Sequence, residues 1–346
     1  MNYKRLRSPK QTTMSIAMIG NKGTLFLAFT LSFLFTNHSS NAQIVLHTDD
    51  LPRFYQAFDS VMTTTDTARQ ARFIQRLYVD KASAGLKQFM VLRGGNTAKW
   101  RAFIETDKMA LLEKRPWILS VLDQEAEIRK RIRLFKQIYP DFRDGDIYFC
   151  VGINNSGGTI DNRTVYIGTE KAASSQPNWA VPLVLHEFVH TQQWTERNKD
   201  RILHDTRLEK EYMESHKQLL GKCLEEGMAD FIAELVYEQS LAVVHPEGHT
   251  AFGLKHEQII WDAFQKEMYA DFDLKGGWLY AKREIAGQKV SDLGYFVGHQ
   301  ICKNYYQKAK NKQAALSYML GLNLTDENAK RFLVASGYSL EKKSSH

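Results

Sequence analysis

Leu183-Val184-Leu185-His186-Glu187-Phe188-Val189-His190 is apolar apart from three ionisable side chains, and their spacing is that of one helical turn. On a helix, His186 and His190 lie on the same face. Two imidazoles rising from one rigid element make half of a tetrahedral metal site. Glu187 between them is placed to take a proton from an attacking water rather than to ligate. Three ionisable groups among Val181, Leu183, Val184, Leu185, Phe188 and Val189 are costly to bury without compensation, and a cation supplies it.

A His₂ pair needs a third ligand. The position six residues after His190 is Glu196 and the glycine expected before it is Gln193, so the metzincin arrangement is absent. Further on, Cys223-Leu224-Glu225-Glu226-Gly227-Met228-Ala229-Asp230 falls in a second predicted helix, from about Glu214 to Glu238, among the apolar positions Leu220, Leu224, Phe231, Ile232 and Leu235. Glu226 completes a His₂Glu set with an open fourth position, and Glu225 beside it is the competing ligand. Asp230, one turn after Glu226, can accept a hydrogen bond from a ligating imidazole. Gly227 predicts a close approach of the two helices.

Upstream of the motif, a loop through Ser174, Ser175 and Pro177 leads to Pro182, suited to the first turn of a helix running through Val184, Phe188 and Trp194. Before it, Asp146–Gly152 and Thr164–Gly168 are short and rich in β-branched and aromatic residues. The stretch between them carries Asn154, Asn155, Gly157 and Gly158, which predicts two strands joined by a turn. The Thr164–Gly168 strand is the one expected beside the metal, where a sheet edge pairs with an extended substrate. From Asp50 to about Gln137 apolar residues recur at helical spacing, as in Phe73-Ile74-Leu77-Tyr78 and Trp117-Ile118-Val121-Leu122. After Glu238 the spacing is helical again, with a turn at Gly276-Gly277 and a helix from about Asp292 to Lys308. Tyr295 and His299 lie one turn apart on that helix, and either can donate a hydrogen bond to a developing oxyanion. His204, His216, His245, His249 and His256 read as surface or loop residues, Pro246 and Gly248 interrupting any helix that would align His245 with His249.

The composition, 43% hydrophobic and 25% charged over 346 residues, is that of an ordinary globular protein. The first 42 residues read as a signal peptide: Lys4, Arg5, Arg7, Lys10 and Lys22, an apolar run from Leu25 to Phe35 too short to span a bilayer, and small residues at Ser40 and Ala42. Cleavage there removes only cations, so the whole-chain charge of +7 belongs mostly to the leader and gives no basis for nucleic-acid binding. No cysteine near the cleavage point carries a lipid anchor. A periplasmic or secreted protein with no membrane insertion after signal cleavage is expected. Cys150, Cys223 and Cys302 are too scattered for a metal site and read as buried thiols, with one disulfide as the alternative.

The HExxH segment followed by Glu226-Gly227-Met228-Ala229-Asp230 resembles the gluzincin class of zinc metallopeptidases. The resemblance implies His186, His190 and Glu226 as zinc ligands, Glu187 as general base, and Asp230 as the carboxylate that follows the ligand in the thermolysin-like branch. It also favours Tyr295 as the downstream oxyanion donor. A hairpin containing two glycines, HExxH followed by Gln192-Gln193, the E-E-G-x-A-D segment and Gly294-Tyr295-Phe296-Val297-Gly298 together are similar to a bacterial family of zinc-dependent proteases related to gliding-motility lipoprotein B. That similarity runs from about Asp146 to Tyr306. Two features depart from the class: the connection from His190 to Glu226 is long, and no G-x-M-E-N box precedes the motif, which sets aminopeptidase specificity aside.

The sequence therefore predicts an α+β, predominantly helical protein with a gluzincin-like core and a small sheet beside the HExxH helix. Residues 1–42 are the leader, 43–145 a helical N-terminal region, 146–240 the zinc-binding catalytic core and 241–346 a helical region completing the site. The expected activity is amide-bond hydrolysis in a peptide or protein substrate with one Zn²⁺ per chain. The alternative is a non-catalytic exported zinc-binding or assembly protein.

Overall fold

Helix dominates wherever the apolar spacing predicts it, and the strands are few and short. The computed structural model describes residues 44–340; the predicted leader lies outside them. After β1 (Leu46–His47) come α1 (Asp50–Val61), α2 (Thr67–Ile74) running into a π turn (Gln75–Val79), α3 (Ala84–Arg93), α4 (Thr97–Leu119) and α5 (Val121–Ile138). Side chains cap three of these helices at their N-termini: Asp66 accepts from the amides of Ala68 and Arg69, Ser83 from Leu86, and Asn96 from Lys99. α1 buries Leu51, Phe54, Tyr55, Phe58 and Val61, the stripe an amphipathic helix turns toward a core.

β2 (Ile147–Cys150), β3 (Gly158–Asp161) and β4 (Thr164–Gly168) follow. The sheet order is β1-β2-β4-β3. β1–β2 and β2–β4 are parallel, with Ile147 opposite Val165, and β3–β4 is antiparallel, with Gly158 opposite Ile167. This corrects the expected pair of strands joined by a turn. Parallel neighbours cannot share a tight turn, and the Gly/Asn-rich stretch contains a strand of its own. The tight turn joins β3 to β4 at Asn162, which takes φ +53°. The edge strands are therefore β1 and β3, and the Thr164–Gly168 strand lies inside the sheet.

α6 (Thr169–Ala172) leads to α7 (Ala180–Gln192), which carries the two motif histidines and packs against β3, β4, α5 and α10. α7 does not continue through Trp194. Gln193 is extended, with ψ 153°, and α8 (Trp194–Leu203) starts afresh. α9 (Thr206–Ser215) and α10 (Leu219–Tyr237) replace the single helix expected from Glu214. The remaining elements are α11 (Leu241–Val244), α12 (His249–Phe264), a 3₁₀ turn (Leu274–Gly276), β5 (Lys282–Ile285), β6 (Gln288–Ser291), α13 (Leu293–Lys308), α14 (Lys312–Leu320) and α15 (Asp326–Ser336).

The closest helix crossing is α10 on α13. A Cβ on Gly227 would lie 2.2 Å from the Gly298 carbonyl carbon, and one on Gly298 would lie 1.8 Å from the Cys223 carbonyl oxygen. Gly227 thus serves the contact with α13, not the expected one with the HExxH helix. Cys150, Cys223 and Cys302 are buried and free, so no disulfide forms. Among the described residues no helix is long and apolar enough to cross a membrane.

Candidate metal centre

α7 and α10 lie side by side and bring three ligand atoms together. His186 Nε2 and His190 Nε2 are 3.0 Å apart, and Glu226 Oε2 is 3.5 Å from the first and 3.2 Å from the second. A zinc tetrahedron with bonds of about 2.0–2.2 Å has edges of roughly 3.3–3.6 Å, so this triangle fits an ion above its face. His186, His190 and Glu226 form a group that can hold a metal ion. Glu225 is turned aside: its side chain lies 4.0 Å from Lys222 Nζ, and its backbone carbonyl accepts from Gln193 Nε2 at 2.7 Å.

The imidazole nitrogens facing away from the triangle are both engaged. His186 Nδ1 is 2.8 Å from Asp230 Oδ1, the partner expected from the sequence, and His190 Nδ1 is 2.8 Å from Gln193 Oε1. These contacts fix which nitrogen each ring offers to the ion. They also explain the end of α7 at Gln192, because an extended Gln193 can fold its amide back onto His190. The neighbouring Gln192 is buried and holds the backbone of Arg143 through both ends of its amide, accepting from N at 2.6 Å and donating to O at 3.1 Å.

The carboxylates around the two rings favour positive charge at the cluster. Burial disfavours a charged His186, yet Asp230 and Glu226 hold its pKa well above the usual imidazole value. His190 is likewise pushed up to about 9, Glu226 outweighing burial. Burial alone would raise Glu226; His190 and His186 hold it far below the ordinary carboxylate range. A metal ion bound there would replace the protons that these carboxylates otherwise keep on the rings. Glu187 is buried against β3, and burial raises its carboxyl, Glu226 adding to the effect while His186, His190 and Arg93 oppose it. Its carboxylate occupies the space where a Cβ on Gly158 would sit, 2.1 Å from Oε1, so the glycine sets the distance between β3 and the general-base candidate.

Tyr295 and His299 part company. Tyr295 stacks near His186, with ring centroids 6.0 Å apart, and lines the cleft. Burial, then the charge of Glu226, raises its hydroxyl pKa. His299 corrects the expectation of an oxyanion donor: it is 1% exposed, its Nε2 is 3.4 Å from Glu234 Oε1, and Phe231 meets its ring edge-on. It faces the α10/α13 interface. Glu234 there also accepts from the Leu241 amide at 2.9 Å, tying α11 to α10.

Sequence reasoning missed three residues. His249 begins α12 and places Nε2 2.9 Å from the second oxygen of Asp230, with its ring 5.4 Å from that of Tyr295; it belongs to the site and is no surface histidine. Pro246 and Gly248 do break the helix, but Gly248 is also the N-cap that starts α12. Tyr280, a non-glycine residue at φ +59°, donates its hydroxyl to Glu226 Oε1. Arg93, at the end of α3, joins Glu187 in the wall of both cavities of the cleft, one of about 290 Å³ and one of about 1050 Å³. His245 is an exposed loop residue, as expected, at the rim of the larger cavity. His216 is half-buried rather than on the surface, stacked on Tyr212 with Nε2 2.7 Å from Asn323 Oδ1. His204 is exposed.

Comparison with protein-family models, with characterised proteins and with solved structures finds no match.

Proposed function

We infer that this chain is an exported zinc-dependent peptidase that hydrolyses amide bonds in peptide or protein substrates. The observation that carries the reading is the convergence of His186, His190 and Glu226 within 3.5 Å of one another beside the buried carboxylate of Glu187. A donor set of two imidazoles and one carboxylate suits zinc, and a purely structural site has no need of a base at its rim. The gluzincin resemblance of the same residues points the same way, and the basic, then apolar, N-terminal segment supports export.

Zinc bound there supplies Lewis acidity, polarising a carbonyl and acidifying water. Glu187 takes the proton of the attacking water and passes it to the leaving amine. Its raised pKa suits the return step. Tyr295, lining the cleft beside His186, supplies a hydroxyl able to steady the oxyanion as it forms, while Tyr280 donates its own to the ligand Glu226. Asp230 and Gln193 keep the imidazoles oriented. β3, at the sheet edge, offers an extended backbone for a peptide to pair with.

Elemental analysis and a peptide-library digest test the proposal. One zinc per chain is expected in the wild type and is lost or much weakened in His190→Ala and Glu226→Ala. Glu187→Gln is expected to keep its zinc and lose hydrolysis by about 10²–10⁴-fold. A chain that stays metal-free after reconstitution with zinc sinks the reading. A zinc-loaded chain in which Glu187→Gln changes nothing measurable favours the non-catalytic binding protein.

A further inference from the structure

α3 turns Leu86 and Phe89 into the core, and Arg93, one turn beyond Phe89, falls on the same face. A guanidinium on the inward stripe of a helix is costly unless something pairs with it. Arg115, Arg131 and Arg283 each meet a carboxylate, at 2.8, 2.6 and 2.5 Å. Among the described residues no carboxylate lies within ion-pair distance of Arg93. Its one hydrogen bond as donor is a long one, 3.4 Å to the carbonyl of Gly158, and its Nε is buried without a partner. Asn155 Nδ2 holds the Arg93 carbonyl at 2.8 Å, fixing the end of the helix against the loop that leads into β3.

Gly158 connects this cation to the chemistry. Its carbonyl faces Arg93, and its Cα faces the carboxylate of Glu187. A peptide carbonyl over the metal triad, within reach of a water held by Glu187, therefore has Arg93 within about one or two residues along the chain, at roughly 3.3 Å per extended residue. The planar fork of an arginine matches a carboxylate bidentately.

We propose that Arg93 is a specificity residue that binds a substrate carboxylate next to the scissile bond. This rests on the peptidase reading and deepens it. The carboxylate comes from either of two sources: the free C-terminus of a peptide or an Asp/Glu side chain.

The test uses three succinyl hydroxamates that bind through the metal and need no turnover. One ends in phenylalanine with a free carboxylate, one in phenylalanine carboxamide and one in aspartate carboxamide. Affinities are measured by calorimetry on zinc-loaded wild type, Arg93→Gln and Arg93→Lys. One of the two acidic probes is expected to bind wild type at least about tenfold tighter than the neutral amide. That preference should fall to within about twofold in Arg93→Gln and partly return in Arg93→Lys, while affinity for the neutral amide stays level and shows the variants folded. Preference for the free carboxylate identifies a C-terminal anchor; preference for the aspartate identifies an acidic side chain. Equal binding of all three by a protein that cleaves peptides overturns the role of Arg93 alone, above all if Arg93→Gln shifts the acid limb of the rate profile upward, which would make the arginine a counter-ion of Glu187. A zinc-loaded wild type that binds none of the probes has no coordination position open to a substrate, which overturns the peptidase reading and the role of Arg93 with it.

Discussion

The ligand triangle and the wall of the cleft are built by different means. His186, His190 and Glu226 come from two helices in direct contact, and the residues that orient the imidazoles lie on or beside the same two helices: Gln193 three positions after His190, and Asp230 one turn after Glu226 on α10, where it meets His186. The wall is assembled from the end of α3, the edge strand β3, Tyr280 before β5 and His249 at the start of α12. Local helical periodicity places the first set. Only tertiary packing places the second, so damage to the two should separate metal loading from turnover.

The sharpest way to separate them is Gly158→Ala. The backbone of Gly158 lies in an ordinary strand, so alanine brings no conformational penalty, yet its methyl claims the space of Glu187 Oε1. A carboxylate at the end of a flexible side chain can move aside, which spares the fold but displaces the base. Hydrolysis is expected to fall about 10²-fold with zinc content unchanged. Loss of zinc in this variant would mean that the wall and the triangle are one unit.

The converse variants act on the triangle through its supports. Asp230→Asn and Gln193→Ala leave every ligand atom in place but remove the partner that sets each ring's orientation. Zinc affinity, measured by competition with a chromophoric chelator, should weaken roughly 10–100-fold. Asp230→Asn should show the larger effect, because Asp230 engages both His186 and His249 and its charge favours the metal. Equal effects would show that orientation alone matters.

The same division explains what could be seen in the sequence. The helical lead-in, the HExxH helix, Glu226, Asp230 and the Tyr295 helix are legible because periods of three and four residues put their side chains on known faces. The third strand was hidden because Gly157 and Gly158 signal a turn; a glycine chosen to make room for a carboxylate looks the same as one chosen for its freedom of φ. His249 was hidden because its alignment with Asp230 depends on where α12 begins against α10. His299 had the right spacing and the wrong face: the α10/α13 crossing at Gly227 and Gly298 turns it toward Glu234. Arg93 sits in a helix with no motif, and only an unpaired guanidinium on a buried face, visible in three dimensions, marks it.

The smallest expected effect is a pH dependence confined to the wall. Glu170 is buried, and its two oxygens accept the amides of Gly152 at 2.8 Å and Asn154 at 2.9 Å, holding the loop that leads into β3. Burial, opposed by those hydrogen bonds, pushes its carboxyl up from 4.5 to about 7. The folded state therefore holds this proton more tightly than the unfolded chain does. The contribution to stability is full below about pH 4.5 and is lost as pH rises through about 7. Between pH 6 and 8 that amounts to about 1 kcal/mol. Denaturant titrations of the zinc-saturated protein at the two pH values should show wild type losing about that much more stability than Glu170→Gln, which has no proton to lose. The subtraction removes the titrating histidines common to both chains. If the slopes are identical, Glu170 stays ionised across this range, and the loop behind β3 is held by the same charged carboxylate at every pH at which the cleft works.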